Sequence, residues 1–386
     1  MSDQLLGRAT PPLLKQLNAR AVLEAIRAGA PISRAEIARR TGISKPTVSL
    51  ALQALLEAGI VRETAPDPDR PHYGAVFFEP VPEAALVVGV DIGARFLRGA
   101  ISDLDGRVRA RQDVELRDVT AESALAAIGG LRDALLQSAG QPAERIDVTV
   151  VGVPGVVDPV SGAVSLATNV PGIEERSFRA ELEELLGLPV RLENDINLAA
   201  LGEQWRGIAR GVDDYLFLSI GTGMGAGLVL HGELHRGRNG AAGELDYAIA
   251  GPLEQVDPCA GALSQLAEQL APRFAGETAL RAPYEPRAVF AAARTGDPLA
   301  RELVAEEARR IALHVVPVGA VADVELVVLG GGLGANGDLL LEPIRGHLAR
   351  WLPYPPRVET SSLGDAAVLT GALAVGVRAA RESVFA

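Results

Sequence analysis

Cysteine is almost missing from this chain. Cys259 stands alone, so no internal disulfide framework can form, and the sequence suits a reducing compartment. Long hydrophobic runs are missing too, since no apolar stretch nears the roughly 18 residues a membrane-spanning helix needs. Met1 to Thr10 place no apolar segment behind a basic start, so no secretory signal is expected. His72, His231, His235, His314 and His347 fall at no metal-ligating spacing. Positive charge is scarce, with 37 Lys and Arg against 49 Asp and Glu and a net of −12. For the chain as a whole, that balance argues against nucleic acid as a partner.

What is present is an ordinary globular composition. The 386 residues are 48% apolar and 22% charged, too long for one core and suited to two or three domains. The charge is divided unevenly. Residues 1–80 hold ten basic and eight acidic residues, a net of +2, and the remainder holds 27 basic and 41 acidic, a net of −14. A small nucleic-acid module on an acidic body has this asymmetry.

Three helices are expected in the first eighty residues. Leu17, Ala21, Val22, Ala25 and Ile26 recur at helical spacing until Gly29 and Pro31. Ser33 and Glu36 form a capping box for a short second helix that Gly42 ends. Ser44 caps the third, whose first turn tolerates Pro46, and whose buried stripe is Val48, Ala51, Leu52 and Leu55. Two helices joined across Gly42-Ile43-Ser44 make a helix-turn-helix. Strands at 60–64 and 75–79 flank a Pro/Asp-rich loop, 66–74, which serves as a wing.

In such a module the third helix enters the major groove by its first residues. Ser44, Lys45, Pro46, Thr47, Ser49 and Gln53 are therefore the candidate base readers, with Leu50 outward among them. Arg34, Arg39, Arg40, Arg62 and Arg70 are placed for phosphates, which hold register without reading sequence. The competing interpretation is a helical bundle for protein contacts. Capping box, turn and hairpin in the right order weigh against it.

From residue 84 the pattern changes. A buried strand at 86–90 runs into Asp91-Ile92-Gly93, a second strand follows at 97–102, and Asp105-Gly106 turns into a third at 107–114. A helix near 120–138 and a strand at 147–153 precede the strand 190–192, which delivers Glu193-Asn194-Asp195-Ile196-Asn197. About 130 residues after the first, a second strand, glycine turn and strand appear, with Gly221-Thr222-Gly223-Met224-Gly225 at the turn. Two hairpin-bearing α/β halves with a cleft between them are implied. From spacing alone, Asp195 is equally well a helix cap or a reactive carboxylate, and Glu244 is an ordinary surface acid.

These segments together resemble the ROK family (repressors, open reading frames and sugar kinases). The resemblance runs over essentially the whole chain. Asp91-Ile92-Gly93 is similar to the family's first phosphate loop and Gly221–Gly227 to the second. Thr168-Asn169-Val170-Pro171-Gly172 resembles the sugar loop, Asn194-Asp195 the catalytic segment, and Gly243-Glu244-Leu245-Asp246-Tyr247 the sugar-binding Glu-x-Gly-His. The helix-turn-helix in front marks the repressor branch, because the family's kinases lack it.

The resemblance also shows departures. A kinase of this type needs glycine turns to cradle phosphate, a carboxylate to take the sugar proton, and a hold on metal and triphosphate. Asp195 matches the family's base, and Gly221, Thr222, Gly223 and Gly225 keep the second loop. In the first loop, however, Ala94 and Arg95 replace the family's Gly-Thr. The zinc ligands are gone: one Cys remains where the family has three, and Tyr247 stands for the His. One thiolate cannot build a tetrahedral site. Gln265 occupies the place of a sugar-touching Glu.

The expected fold is therefore α/β: a winged helix-turn-helix over 1–82, then a two-lobed actin-like, hexokinase-like ATPase body of the RNase H-like kind. Its lobes are 83–195 and 196–363, with 364–386 packing back on the first. The expected function is a cytoplasmic transcriptional regulator, a repressor of carbohydrate-related genes, acting as a dimer or tetramer on double-stranded DNA. Its effector is a sugar or sugar phosphate, held by Asn169, Asn194, Asp195, Glu244, Tyr247 and Gln265. Asp91, Gly93, Arg95, Gly221, Thr222, Gly223 and Gly225 are phosphate-loop remnants, and no cofactor, metal or catalytic residue is assigned. The alternatives are an active ATP-dependent sugar kinase with a DNA-binding arm, and a regulator that answers to a protein partner.

Overall fold

The computed structural model of the protein describes residues 11–65, 75–116, 119–167, 169–245 and 256–383. Arg70, the 66–74 wing, Thr168 and Tyr247 lie outside the described residues.

The N-terminal unit comprises α1 (Pro11–Gly29), β1 (Ile32–Ser33), α2 (Arg34–Thr41), α3 (Lys45–Glu57), β2 (Val61–Thr64) and β3 (Phe77–Pro80). Its helix ends are where the capping residues put them. The Ser33 hydroxyl accepts from Glu36 N, Gly42 closes α2 in the left-handed region at φ 71°, and the Ser44 hydroxyl accepts from Thr47 N. Val22, Leu23 and Ile26 of α1 meet Ile37 of α2, Val48, Leu52 and Leu55 of α3, and Phe78 of β3 in one core.

Two details differ from expectation. The sheet has three strands, ordered β1-β3-β2, because Ile32 pairs with Phe78. A two-residue strand is too short to leave a period in sequence. The capping box is only half made: the Glu36 carboxylate turns to Arg39 and Arg40 instead. Two charged guanidinium donors outcompete one backbone amide.

The body's first lobe runs β4 (Leu86–Ile92), β5 (Phe96–Asp103), β6 (Val108–Glu115), α4 (Ala121–Ala139), β7 (Ile146–Val153), β8 (Val156–Val157), β9 (Val164–Ser165), α5 (Phe178–Leu186) and β10 (Val190–Asn194). After α6 (Asp195–Arg206) come β11 (Tyr215–Ile220), β12 (Met224–Leu230), β13 (Glu233–Leu234), α7 (Ala260–Leu270), α8 (Pro286–Arg294) and α9 (Pro298–Ala322). The chain continues through β14 (Leu326–Gly330), α10 (Gly331–Gly334), α11 (Gly337–Trp351), β15 (Arg357–Thr360) and α12 (Ala367–Ser383).

The two large sheets have the same topology. One is ordered β10-β7-β4-β5-β6 and the other β15-β14-β11-β12-β13. In each, the first strand sits centrally, forms an antiparallel meander to one side, and pairs in parallel on the other. The interior strands β4 and β14 are buried along their whole length, as strands covered on both faces must be. Helix α12 lies against the first sheet through Leu369, Leu373 and Val377. It crosses α6 closely: a Cβ on Gly371 would sit 1.8 Å from Leu198 O, and one on Gly202 2.3 Å from Ala367 O. Among the described residues, no helix is long and apolar enough to cross a membrane.

Candidate functional site

The first hairpin sets out the first-lobe part of the site. Register pairs Asp91 with Arg98 across β4 and β5, and Arg98 Nη1 donates to Asp91 Oδ2 at 3.1 Å. Burial pushes the Asp91 carboxyl up to about 6 against the pull of Arg98. Gly93 N donates to Phe96 O at 3.0 Å, and a Cβ there would meet that same oxygen at 3.0 Å. Arg95 turns elsewhere. Its guanidinium lies 2.7 Å from Glu115 and 5.4 Å from the centre of the Phe96 ring, with the side chain 73% exposed.

Strand β10 and helix α6 supply the next pair. Asn194 is the N-cap of α6: its side-chain oxygen accepts from Asn197 N at 2.9 Å, and Nδ2 donates to Gly155 O at 2.9 Å. Both ends of this amide are thus tied to backbone. Asp195 follows as the first helical residue and accepts from Ile196 N at 2.9 Å. Burial raises its carboxyl to about 7, the Asp91 and Glu244 charges add to the rise, and the backbone N–H groups of the helix start oppose it. A helix N-terminus ordinarily favours a carboxylate. Here desolvation and two like charges win.

The second lobe contributes through a close backbone approach. Gly243 adopts φ 100° and accepts from Ala226 N at 2.9 Å, and a Cβ on it would fall 1.8 Å from Ala226 O. Only glycine fits there, and the fit fixes Glu244 where its charge reaches Asp195. Gly225 and Gly227 of β12 allow α6 to lie against the strand, with Ile196 Cγ1 3.0 Å from a Cβ on Gly225. The turn at Gly221 is closed by its N–H to Gly223 O, and Gly221 O accepts from Ala260 N at the start of α7. Thr222, Gly223, Asn169 and Gln265 are exposed.

The structure therefore gathers Asp91, Asp195 and Glu244, with Asn194 beneath them. It gives Arg95 no contact with this cluster. Three residues that the sequence did not single out belong to it. Arg98 is the cation on Asp91, and the hairpin register alone points to it. Glu193 and Arg236 form the other pair: Glu193 accepts from Asn197 Nδ2 at 3.0 Å and from Arg236 Nε at 2.8 Å, bracing Asn194 from behind. No sequence spacing joins residues 193 and 236.

On the N-terminal unit, Arg34, Arg39, Arg40, Ser44, Lys45, Pro46 and Gln53 are exposed, and Leu50 is 64% exposed among them. Ser49 donates to Lys45 O at 2.9 Å and Gln53 to Glu57 at 2.9 Å. Thr47 and Ser44 share a hydroxyl contact of 2.8 Å. The two arginine heads beside Glu36 hold its carboxyl down at about 2. Glu36 thus stays ionised and paired with Arg39 and Arg40 on the face of α2.

Two sheets of the same topology with carboxylates gathered from both halves, joined to a winged helix-turn-helix, define a DNA-binding regulator built on a sugar-kinase scaffold. Residues 87–378 match the ROK family, and residues 17–62 match the winged helix-turn-helix DNA-binding family. The chain belongs to the ROK family. It is 27% identical to the xylose repressor of Caldicellulosiruptor bescii over 385 residues, covering 94% of this chain and 96% of the relative. It is 30% identical to the glucokinase of Thermotoga maritima over 285 residues, covering 69% of this chain and 88% of that one. A crystal structure of a ROK family transcriptional regulator, a homologue of the E. coli MLC protein, superposes with a TM-score of 0.79 at 24% identity. It covers 96% of this chain and 98% of the other.

Proposed function

We propose that this protein is a cytoplasmic repressor of carbohydrate-related genes whose interlobe cleft binds a sugar or sugar phosphate without phosphorylating it. The observation that carries this reading is the convergence of Asp91, Asp195 and Glu244. Carboxylates and amides accept from and donate to vicinal hydroxyls in pairs. Asn169, Asn194, Tyr247 and Gln265 complete the proposed set. The likeness to a xylose repressor over nearly the full chain supports repression. The protein acts as a dimer or tetramer, so that two heads meet a near-palindromic operator. Effector in the cleft favours one arrangement of the lobes, and its leverage on DNA equals its differential affinity for the two states.

One observation favours a second reading, an active kinase. Asp195, at about 7, has the near-neutral carboxyl that suits a general base. Against it stand Ala94 in the first loop and the engagement of Arg95 with Glu115. Titration calorimetry with xylose, glucose and glucose 6-phosphate tests the first reading. We expect dissociation constants of roughly 10 µM to 1 mM, about 4–7 kcal/mol, and loss of binding in Asp195→Ala. Turnover with ATP and Mg²⁺ that Asp195→Ala abolishes decides for the kinase.

A further inference from the structure

A cavity lies between the DNA-binding unit and the body, and none of Asp91, Asp195 and Glu244 lines it. Its volume is about 690 Å³, and its walls include Arg20 and Glu24 of α1, Arg191 of β10, Trp205 of α6, Glu233 of β13 and Arg378 of α12. A neighbouring recess of about 330 Å³ shares Arg191 and Arg236 with it and adds Arg179. Five arginines and three glutamates line the larger cavity.

The arginines differ in what they hold. Arg378 is paired with Glu233 and Glu382, Arg236 with Glu193, and Arg381 donates to Leu104 O. Arg20 and Arg191 have no carboxylate partner among the described residues, although each faces the cavity from a different domain. Unneutralised guanidinium groups converging on one space call for an anion, and their forked donors match phosphate or carboxylate. The volume fits a small molecule. A DNA duplex, whose major groove alone is about 12 Å wide, does not enter it.

We propose that this cavity binds a small polyanion, a molecule bearing two phosphate or carboxylate groups, bridged by Arg20 and Arg191. Such a ligand touches α1 and the body at once, so it fixes the DNA-binding unit in one position. Arg236 also links the cavity to the inner cleft, through Glu193 to Asn197 and the cap of α6. Occupancy of the two sites is thereby coupled, and the coupling is reciprocal.

The test uses the full chain at low ionic strength, titrated calorimetrically with inorganic pyrophosphate and, separately, with citrate. We expect saturable binding of at least one. It weakens tenfold or more in the Arg20→Ala, Arg191→Ala double variant and returns in part with Arg191→Lys. Preference for pyrophosphate or citrate tells phosphate from carboxylate. Asn169→Ala, in the proposed sugar-binding set and outside the lining of this cavity, should leave the polyanion affinity unchanged. Loss of binding in Asn169→Ala places the anion in the inner cleft and overturns the proposal, as does equal binding by wild type and double variant. On an operator selected from random DNA, saturating polyanion should shift wild-type affinity at least threefold and the double variant not at all. An equal shift in both is competition with DNA phosphate, and sinks the coupling.

Discussion

Arg98 is the only guanidinium that touches Asp91 among the described residues, with Nη1 and Oδ2 3.1 Å apart across the first hairpin. The cation holds down a carboxyl that burial pushes up to about 6. Replacing Arg98 with Met removes that pull and leaves the burial. The Asp91 carboxyl should then titrate higher than in wild type. A carboxyl-carbon NMR titration of wild type and Arg98→Met reads this, and an unmoved Asp91 resonance contradicts it.

Asp195 gives a stability prediction whose sign follows from its raised carboxyl. An acid that titrates near 7 when folded and near 3.8 when unfolded binds more protons in the folded state between those values. Its contribution is fully present below about pH 4 and is lost as pH rises through about 7. Asp195→Asn carries no such titration. The variant's melting temperature relative to wild type should therefore climb from pH 4 to about 7 and level off above. A difference that does not change with pH rules this out. Because Asp91 titrates nearby, the profile belongs to the pair.

On DNA, Lys45→Ala should weaken the specific operator by about 1–3 kcal/mol and relax preference at one position. Ser49 already donates to Lys45 O, so Ser49→Ala should cost less. Arg39→Ala should weaken all sequences alike and lower the salt slope by about 1. A footprint and a salt series, done with each variant, separate base reading from phosphate contact.

Asn194→Ala removes an N-cap and frees Gly155 O in one step. The cap alone is worth about 0.5–2 kcal/mol. Chemical denaturation should show a loss at or above that range, together with weaker effector binding, because Asp195 heads the same helix. Stability equal to wild type would remove the cap from the account.

The loop before α7 offers a metal test. Arg310 Nη1 donates to Asp257 O at 2.9 Å, a His314 ring nitrogen lies 3.2 Å from Val256 O, and Cys259 N donates to Asp257 Oδ1 at 2.8 Å. Side chains from α9 thus tether the segment that carries zinc ligands in the pattern this chain departs from. Elemental analysis should find well under one zinc per chain, and EDTA should leave the melting temperature unchanged. Stoichiometric zinc would overrule this.

Local chemistry made much of the fold legible. Ser33, Gly42 and Ser44 mark helix ends because caps act within four residues, and the repeated strand–glycine–strand pattern marks two similar halves. The candidate site was legible as a neighbourhood, since the motifs name Asp91, Asp195 and Glu244 and the structure brings their charges together. What stayed hidden depends on distant pairing. Arg98 emerges only once the hairpin has a register, and Glu193 with Arg236 only once two lobes are assembled. The partner of Arg95 was hidden for a related reason: exposed on the hairpin, it meets Glu115 at the end of the neighbouring strand.

The close crossing of α6 and α12 has a mechanical consequence. Gly202 lies against the backbone of Ala367, and Gly371 against that of Leu198. At these points the two helices meet main chain to main chain, with no knob seated in a hole to be withdrawn before one slides past the other. The crossing thus sets how near the two helices can lie, with backbone rather than side chain as the spacer. A methyl group at either glycine would force them apart.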